Sequence, residues 1–194
     1  MPIIKAYLIC LVVALGFNAS AQTAGEITIP SSFKATINDL YLYVQTHAPS
    51  GLLNEMDMKI LSPYLSKSLY KKMSLAETCE KDWELHNHGK AIKAPFAWSE
   101  FGLFSGANER ISPESYNIDS ITKDNDGSFY VVVVFRYRHM DGSGIWHVTD
   151  HVILEDGNYV LDDVLFNDES QERSSKLTGI LSQGCKGSHW VGLR

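Results

Sequence analysis

The sequence predicts an α+β domain in which helices come first and an antiparallel sheet follows. Before Pro113 the apolar residues recur at helical spacing, and after it they alternate with polar residues or form β-branched runs. The composition agrees, since 194 residues with 44% apolar content are enough to bury a core and are typical of a compact domain. The formal net charge of −6 argues against a general nucleic-acid binder, whose phosphate contacts need a basic surface.

The first predicted helix runs from about Ser31 to Thr46, with Ser31 or Ser32 as its cap. Steps of three and four residues separate the apolar positions of its buried stripe, which are Phe33, Ile37, Leu40, Tyr41 and Val44. Residues 48–54 break this pattern.

The second predicted helix begins near Ser62 and Pro63, because serine caps helices and proline fits their first turn. It extends through Trp83 to Leu85 and directs five apolar side chains inward: Tyr64, Leu65, Leu69, Tyr70 and Met73. Residues 86–112 have mixed periodicity, so we expect a long loop with short elements.

Four strands are predicted after Pro113, at residues 115–121, 128–140, 145–154 and 158–166. Turn residues separate them at DNDG (124–127), DGSG (141–144) and EDG (155–157). The strand at 128–140 is too apolar to be exposed on both faces, so the helices are expected to cover one face of a curved antiparallel sheet of at least four strands. A last short helix is expected around residues 174–181.

The first 21 residues have the parts of an export signal. Lys5 gives a positive start, residues 6–17 are an apolar run too short to cross a bilayer comfortably, and Ala19 and Ala21 precede the predicted cleavage after Ala21. Cleavage leaves residues 22–194 as a single domain in the periplasm or outside the cell, without a stable membrane anchor; an uncleaved anchor is the alternative. The loss of Lys5 changes the net charge from −6 to −7.

Cleavage also removes Cys10, so the mature domain keeps Cys79 and Cys185. Two cysteines in an exported protein predict one disulfide, which here closes a loop of about a hundred residues. Two unpaired thiols are the alternative. No metal site is expected at these cysteines, because no second pair of soft ligands lies near them at zinc spacing.

Three segments carry a resemblance to a known family: SPYLSKSL (62–69), WSEFGLFSG (98–106) and YVLDDVLF (159–166). Together with the signal, they resemble the exported bacterial proteins called domain of unknown function 3828. The resemblance implies a cone-shaped fold similar to nuclear transport factor 2, also called cystatin-like. It implies no activity, because the family has none settled and its superfamily contains enzymes and binding proteins alike.

Asp150 is the residue that points most directly to chemistry. Strand alternation places it on one face with Trp146, Val148, Val152 and Leu154, so a carboxyl lies in an apolar row. The resemblance implies a pocket on the concave sheet face, where an acid is a general base in some enzymes. Desolvation would raise the pKa of such an acid. The alternative is a structural pair with Arg136, Arg138 or a tyrosine on a neighbouring strand.

The pocket candidates are therefore Arg136, Arg138, Trp146, His147 and Asp150. Asp162 and Asp163 point to opposite faces and are expected in a mostly structural cluster with the arginines. His147 and His151 share a face but stand about 13 Å apart on a strand, so they cannot share a zinc ion. No motif for a metal, nucleotide or other cofactor is present, and none is expected.

The leading functional hypothesis is an exported, non-catalytic binding protein. It binds a small apolar-to-amphipathic ligand in the concave pocket or a protein partner, for example a basic toxin that it neutralises as an immunity protein. A protein partner is expected on an exposed aromatic patch of Trp98, Phe101, Phe104 and Trp190. The strand-rich half also permits a homodimer. The alternative function is a cone-fold enzyme of the isomerase or hydrolase type with Asp150 as general base.

Overall fold

The computed structural model of the chain describes residues 29–100, 102–107, 113–139, 142–166 and 175–192. The predicted α+β class is confirmed, with helices and one large antiparallel sheet. The predicted export signal and its cleavage position after Ala21 lie outside the described residues.

Four helices are described: α1 (Ser31–His47), α2 (Glu55–Leu61), α3 (Lys67–Asn87) and α4 (Leu177–Ile180). The stripe predicted for α1 is confirmed, because its five residues are the ones that α1 buries. Short 3₁₀ turns occupy Ser62–Tyr64 and Ala97–Glu100. None of the helices in the described ranges has both the length and the apolar character needed to cross a bilayer.

The second predicted helix is corrected at its start. Ser62 and Pro63 form a 3₁₀ turn, and α3 begins only at Lys67, where the Ser66 side chain accepts a hydrogen bond from the Leu69 backbone N–H at 3.0 Å. The reason is tertiary, since the Ser66 backbone N–H donates to the Leu161 carbonyl at 2.8 Å and ties the turn to the sheet. Tyr70, predicted to point inward, is 41% exposed.

The large sheet has five strands in sequence order: β1 (Ser115–Lys123), β2 (Phe129–His139), β3 (Gly142–Glu155), β4 (Asn158–Phe166) and β5 (Ser175–Lys176). Every neighbouring pair is antiparallel. The register shifts once between β1 and β2, near Ile118 and Ser120, and once between β3 and β4, near His151 and Val152. A separate hairpin of β6 (Cys185–Lys186) and β7 (His189–Trp190) follows α4.

The two faces of β2 and β3 have different surroundings. The inner face carries the odd-numbered residues of β2 from Phe129 to Tyr137, all of them buried. Helix α1 packs against it, with the Phe33 ring 4.7 Å from that of Phe129 and the Tyr41 ring 5.4 Å from that of Phe135. The outer face carries the even-numbered residues of β2 from Tyr130 to Arg138, all half-buried or exposed. One face of the sheet is therefore the wall of the core.

The predicted disulfide between Cys79 and Cys185 is present and joins α3 to the C-terminal hairpin across a separation of 106 residues. The Trp190 backbone N–H donates to Asp82 of α3 at 2.9 Å, and the Trp190 ring packs edge-on to Phe96 at 5.1 Å. The C-terminal hairpin is thus bound to the helical layer by a covalent bond and by polar and aromatic contacts.

Candidate binding site on the inner face of the sheet

The inner face places Asp150 in the middle of the core. In the register of the sheet, Asp150 lies opposite Val131 of β2 and Val164 of β4, and all three are 0% exposed. The predicted alternation along β3 is confirmed from Trp146 to Val152. It fails at Leu154, which is 58% exposed near the end of the strand.

Among the described residues, the side chain of Asp150 hydrogen-bonds to the hydroxyl of Tyr41, which lies 2.7 Å from each carboxyl oxygen. The alternation of β3 and the helical stripe of α1 deliver these two buried side chains to the same point from positions 109 residues apart. The partner is thus a tyrosine, as one alternative allowed, but on a helix and not on a neighbouring strand. In the described part of the chain no basic side chain pairs with Asp150.

Burial without a counter-ion controls the protonation of this pair. Desolvation raises the pKa of Asp150 to about 8, and the hydrogen bond from Tyr41 opposes this rise only in part. Desolvation and the neighbouring Asp150 carboxyl hold the pKa of Tyr41 well above its usual value. Both groups are therefore mainly neutral at pH 7, and the Asp150 carboxyl then has a proton to donate.

Residues 102–107, which we call the capping loop, lie over this pair. The loop closes on itself, because the Gly102 backbone N–H donates to the Ala107 carbonyl at 2.7 Å and the Gly106 N–H donates to the Gly102 carbonyl at 2.8 Å. Phe104 at its centre is 1% exposed, and the Phe104 carbonyl oxygen lies 3.4 Å from the Tyr41 hydroxyl. The capping loop thus lies against the Tyr41 hydroxyl, and both Tyr41 and Asp150 are fully buried.

Two further donors of the inner face reach the same loop. The Tyr137 hydroxyl donates to the Ser105 carbonyl at 3.5 Å, and desolvation raises the pKa of Tyr137 to about 12. The indole Nε1 of Trp146 is buried and has no hydrogen-bond partner among the described residues. It lies beside Gly106, where an added Cβ would come within 2.6 Å of Nε1.

Three of the five predicted pocket residues are corrected. Arg136, Arg138 and His147 lie on the outer face, because the β2 residue opposite Asp150 is Val131 and both arginines are an odd number of positions away from it. Arg138 pairs instead with Glu114 at 3.1 Å on the surface. Only Trp146 and Asp150 of that set share the inner face.

The predicted cluster of Asp162 and Asp163 with the arginines is also corrected. Asp162 accepts a hydrogen bond from the Ser66 hydroxyl at 2.6 Å and lies 3.5 Å from His151 Nδ1. Asp163 accepts hydrogen bonds from the backbone and hydroxyl of Thr178 at 3.0 and 2.7 Å. Both acids join the sheet to other elements, α3 in one case and α4 in the other.

The predicted aromatic partner surface is wrong for two of its four members. Trp98 is 0% exposed and stacks on Phe96 at 4.4 Å, and Phe104 belongs to the buried capping loop. Trp190 is half-buried against Phe96, and Phe101 lies outside the described residues. The aromatic residues of this region are therefore mainly core, which local spacing could not reveal in a segment without periodicity.

Sequence reasoning missed Tyr41, Tyr137 and the capping loop as parts of the site. Tyr41 had a signal, since it was the one residue in the predicted stripe of α1 with a polar atom, and a buried hydroxyl needs a partner. Tyr137 also had a signal. It lies one position from Arg136 and one from Arg138 on the same strand, so its side chain points to the opposite face of the sheet. The capping loop had none beyond its two glycines.

In the described ranges, no three His, Cys, Asp or Glu side chains are grouped so that they could hold a metal ion. Comparisons with protein-family models, with curated proteins and with solved structures find no match to this chain.

Proposed function

We propose that the protein is an exported, non-catalytic binding protein that takes a small ligand against the inner face of its sheet. The observation that carries this proposal is the fully buried carboxyl of Asp150, which hydrogen-bonds to Tyr41 and has no basic partner among the described residues. A core that needs only stability gains nothing from a buried acid, because an apolar residue of similar size avoids the desolvation penalty. Polar groups converging in an apolar interior are typical of ligand sites.

The same features count against Asp150 as a general base. A base must be ionised at the working pH and within reach of a substrate proton. The pKa of about 8 leaves Asp150 protonated at neutral pH, and its side chain is fully buried, out of reach of solvent. A binding role requires neither ionisation nor a reacting atom, so it fits the geometry better.

The resemblance to the exported family of unknown function supports the same proposal. A cone-shaped domain of the nuclear-transport-factor-2 type would hold its ligand on the concave face, which corresponds here to the inner face of β2 and β3. Export after cleavage at Ala21 agrees with the disulfide between Cys79 and Cys185, because disulfides persist in oxidising compartments.

The experiment is a contact map of a neutral naphthalene ketone, prodan, on isotope-labelled mature protein (residues 22–194) by nuclear magnetic resonance. We expect intermolecular cross-peaks from prodan to the rings of Tyr41 and Trp146, which line the inner face. Cross-peaks only to the outer-face residues Val132 and Val134, or no saturable binding at all, would contradict the proposal. These valines are a matched control because they alternate with inner-face residues on β2.

A second candidate function is protein binding on the outer face. The outer face of β2 and β3 contains Val132, Val134 and Ile145, and Ile145 is 64% exposed. These three residues form an apolar patch beside Arg136, Arg138 and His147, and such a patch can pack against another sheet. We propose a second copy of this chain as the occupant, because two-fold symmetry brings the same exposed patch of both copies into contact.

A further inference from the structure

The capping loop presents backbone carbonyls to side-chain donors in a regular order. Tyr41 faces the Phe104 carbonyl, Tyr137 faces the Ser105 carbonyl, and Trp146 Nε1 lies beside Gly106. Three donors that come from α1, β2 and β3 thus meet three consecutive residues of one loop.

The loop is a poor acceptor for these donors. The Tyr41 hydroxyl donates instead to Asp150 at 2.7 Å and is satisfied there, so the poorly satisfied donors are Tyr137 and Trp146. The two hydroxyl–carbonyl distances are 3.4 and 3.5 Å, whereas hydrogen bonds from hydroxyl groups are usually about 2.7–2.8 Å long. The Trp146 N–H has no acceptor among the described residues. A buried donor without a good acceptor loses the hydrogen bond that it makes with water when it is exposed. A better acceptor in this position would therefore bind favourably.

From this we infer that the capping loop occupies the place of the ligand, and that the ligand is a neutral, largely apolar molecule with a carbonyl or ether oxygen. This oxygen accepts hydrogen bonds from the Tyr137 hydroxyl and the Trp146 N–H, the two donors that lack a good acceptor. The inference rests on the proposed function, since it names the chemical class that the inner-face site recognises and the segment that the ligand displaces.

The neutrality of the ligand follows from the charges of the site. Asp150 and Tyr41 are its titratable groups together with Tyr137, and in the described residues no basic side chain pairs with any of them. An anionic ligand would be buried without a counter-ion, which is strongly unfavourable. The apolar character follows from the Phe104 ring, because a ligand that displaces the loop fills the space that this ring leaves.

A single substitution at Gly106 can displace the capping loop without changing the side chains of the inner face. The Gly106 φ of +66° lies in the left-handed region, and a Cβ would meet Trp146 Nε1 at 2.6 Å and the Phe166 ring at 3.1 Å. A Gly106→Ala substitution therefore pushes the loop away from the face. Gly127 is the matched control, because its φ of +90° brings the same backbone strain while a Cβ there has no neighbour within 4 Å.

The test measures the affinity of two probes, 2-acetylnaphthalene and 2-ethylnaphthalene, by competition with prodan fluorescence. They share a ring system and differ in one carbonyl oxygen. We expect 2-acetylnaphthalene to bind more tightly than 2-ethylnaphthalene. Gly106→Ala should raise the affinity for 2-acetylnaphthalene by about tenfold, because the capping loop is then displaced in a larger fraction of the molecules. Gly127→Ala should leave the affinity at the wild-type value.

The donors are tested with Tyr137→Phe and Trp146→Phe. Each substitution should weaken the binding of 2-acetylnaphthalene and leave the affinity for 2-ethylnaphthalene nearly unchanged. If the two probes bind every variant with equal affinity, the site does not recognise the carbonyl oxygen. This result would overturn the proposed chemical class of the ligand but not the proposed interior binding site. Failure of both probes to bind even the Gly106→Ala protein would overturn the proposed function itself. If Gly106→Ala does not fold, Phe104→Ala replaces it, since it empties the ring position without a new contact, and unchanged affinity there would refute the displacement.

Discussion

The two faces of β2 carry the same kind of residue in opposite surroundings. Val131 and Val133 are 0% exposed beneath the helices, whereas Val132 and Val134 are half-exposed on the outer face. The residue type alone cannot distinguish these two pairs of valines, yet one pair lies in the core and the other faces outward. The difference shows that the burial of a valine in β2 depends on the face of the sheet on which it lies and on whether helices pack against that face.

The largest expected effect comes from placing a charge on the inner face, with the same change on the outer face as its comparison. Val133→Asp buries an unpaired carboxyl in the core and should lower the free energy of unfolding by more than about 4 kcal/mol. Val134→Asp, one residue further along the strand, should change it by about 1 kcal/mol or less. Urea unfolding followed by circular dichroism measures both, and similar losses in the two variants would break the distinction between the faces.

The second effect is the pH dependence that Asp150 gives to the inner face. The unfolded chain loses this proton near pH ~4, whereas the folded protein keeps it up to a pKa of about 8. Between these values the unfolded state is favoured as the pH rises, so the free energy of unfolding falls by up to about 1.4 kcal/mol per pH unit. It becomes independent of this group above the folded pKa.

Asp150→Asn removes the titration and keeps a carbonyl for the Tyr41 hydroxyl. We expect this variant to gain stability relative to the wild type as the pH is raised from 5 to 8, measured by urea midpoints at each pH. Asp119→Asn, on an exposed position of β1, is the control and should run parallel to the wild type. Parallel curves for Asp150→Asn as well would mean that Asp150 is already ionised in the folded protein.

The smallest effect on stability is expected at the outer face, where the readout is assembly. Sedimentation of the wild-type protein should show a dimer, and Val134→Asp should give a monomer with nearly unchanged unfolding. Thr122→Asp, on an exposed position of β1, should leave the dimer intact. A monomeric wild-type protein would remove the second copy as the occupant of this face.

Local patterns predicted the elements well where one period dominates. Strand β4 has the predicted bounds, residues 158–166, because a glycine turn precedes it and its apolar pattern ends with it. The disulfide followed from assigning Cys10 to the export signal, and the burial of Asp150 from alternation along β3. The seven residues of α2 escaped prediction, since a helix of two turns is too short to show a period.

The site itself was only half predictable. Alternation identifies Asp150 and Trp146 as neighbours on one face, but it does not fix the register between β3 and β2, so the sequence alone does not show that Arg136 and Arg138 lie on the other face. The partnership of Asp150 with Tyr41 joins residues 109 positions apart, and no local period records such a contact. The path of the capping loop depends on tertiary packing around Gly106, which the sequence shows only as one glycine among several.

The disulfide between Cys79 and Cys185 encloses every strand of the five-stranded sheet in one covalent ring. A single peptide-bond cleavage anywhere inside this ring therefore leaves two pieces that are still joined. Such a nicked protein would migrate as one band on a non-reducing gel and as two after reduction. In a compartment that contains proteases, one cut within the ring would not release either half of the domain.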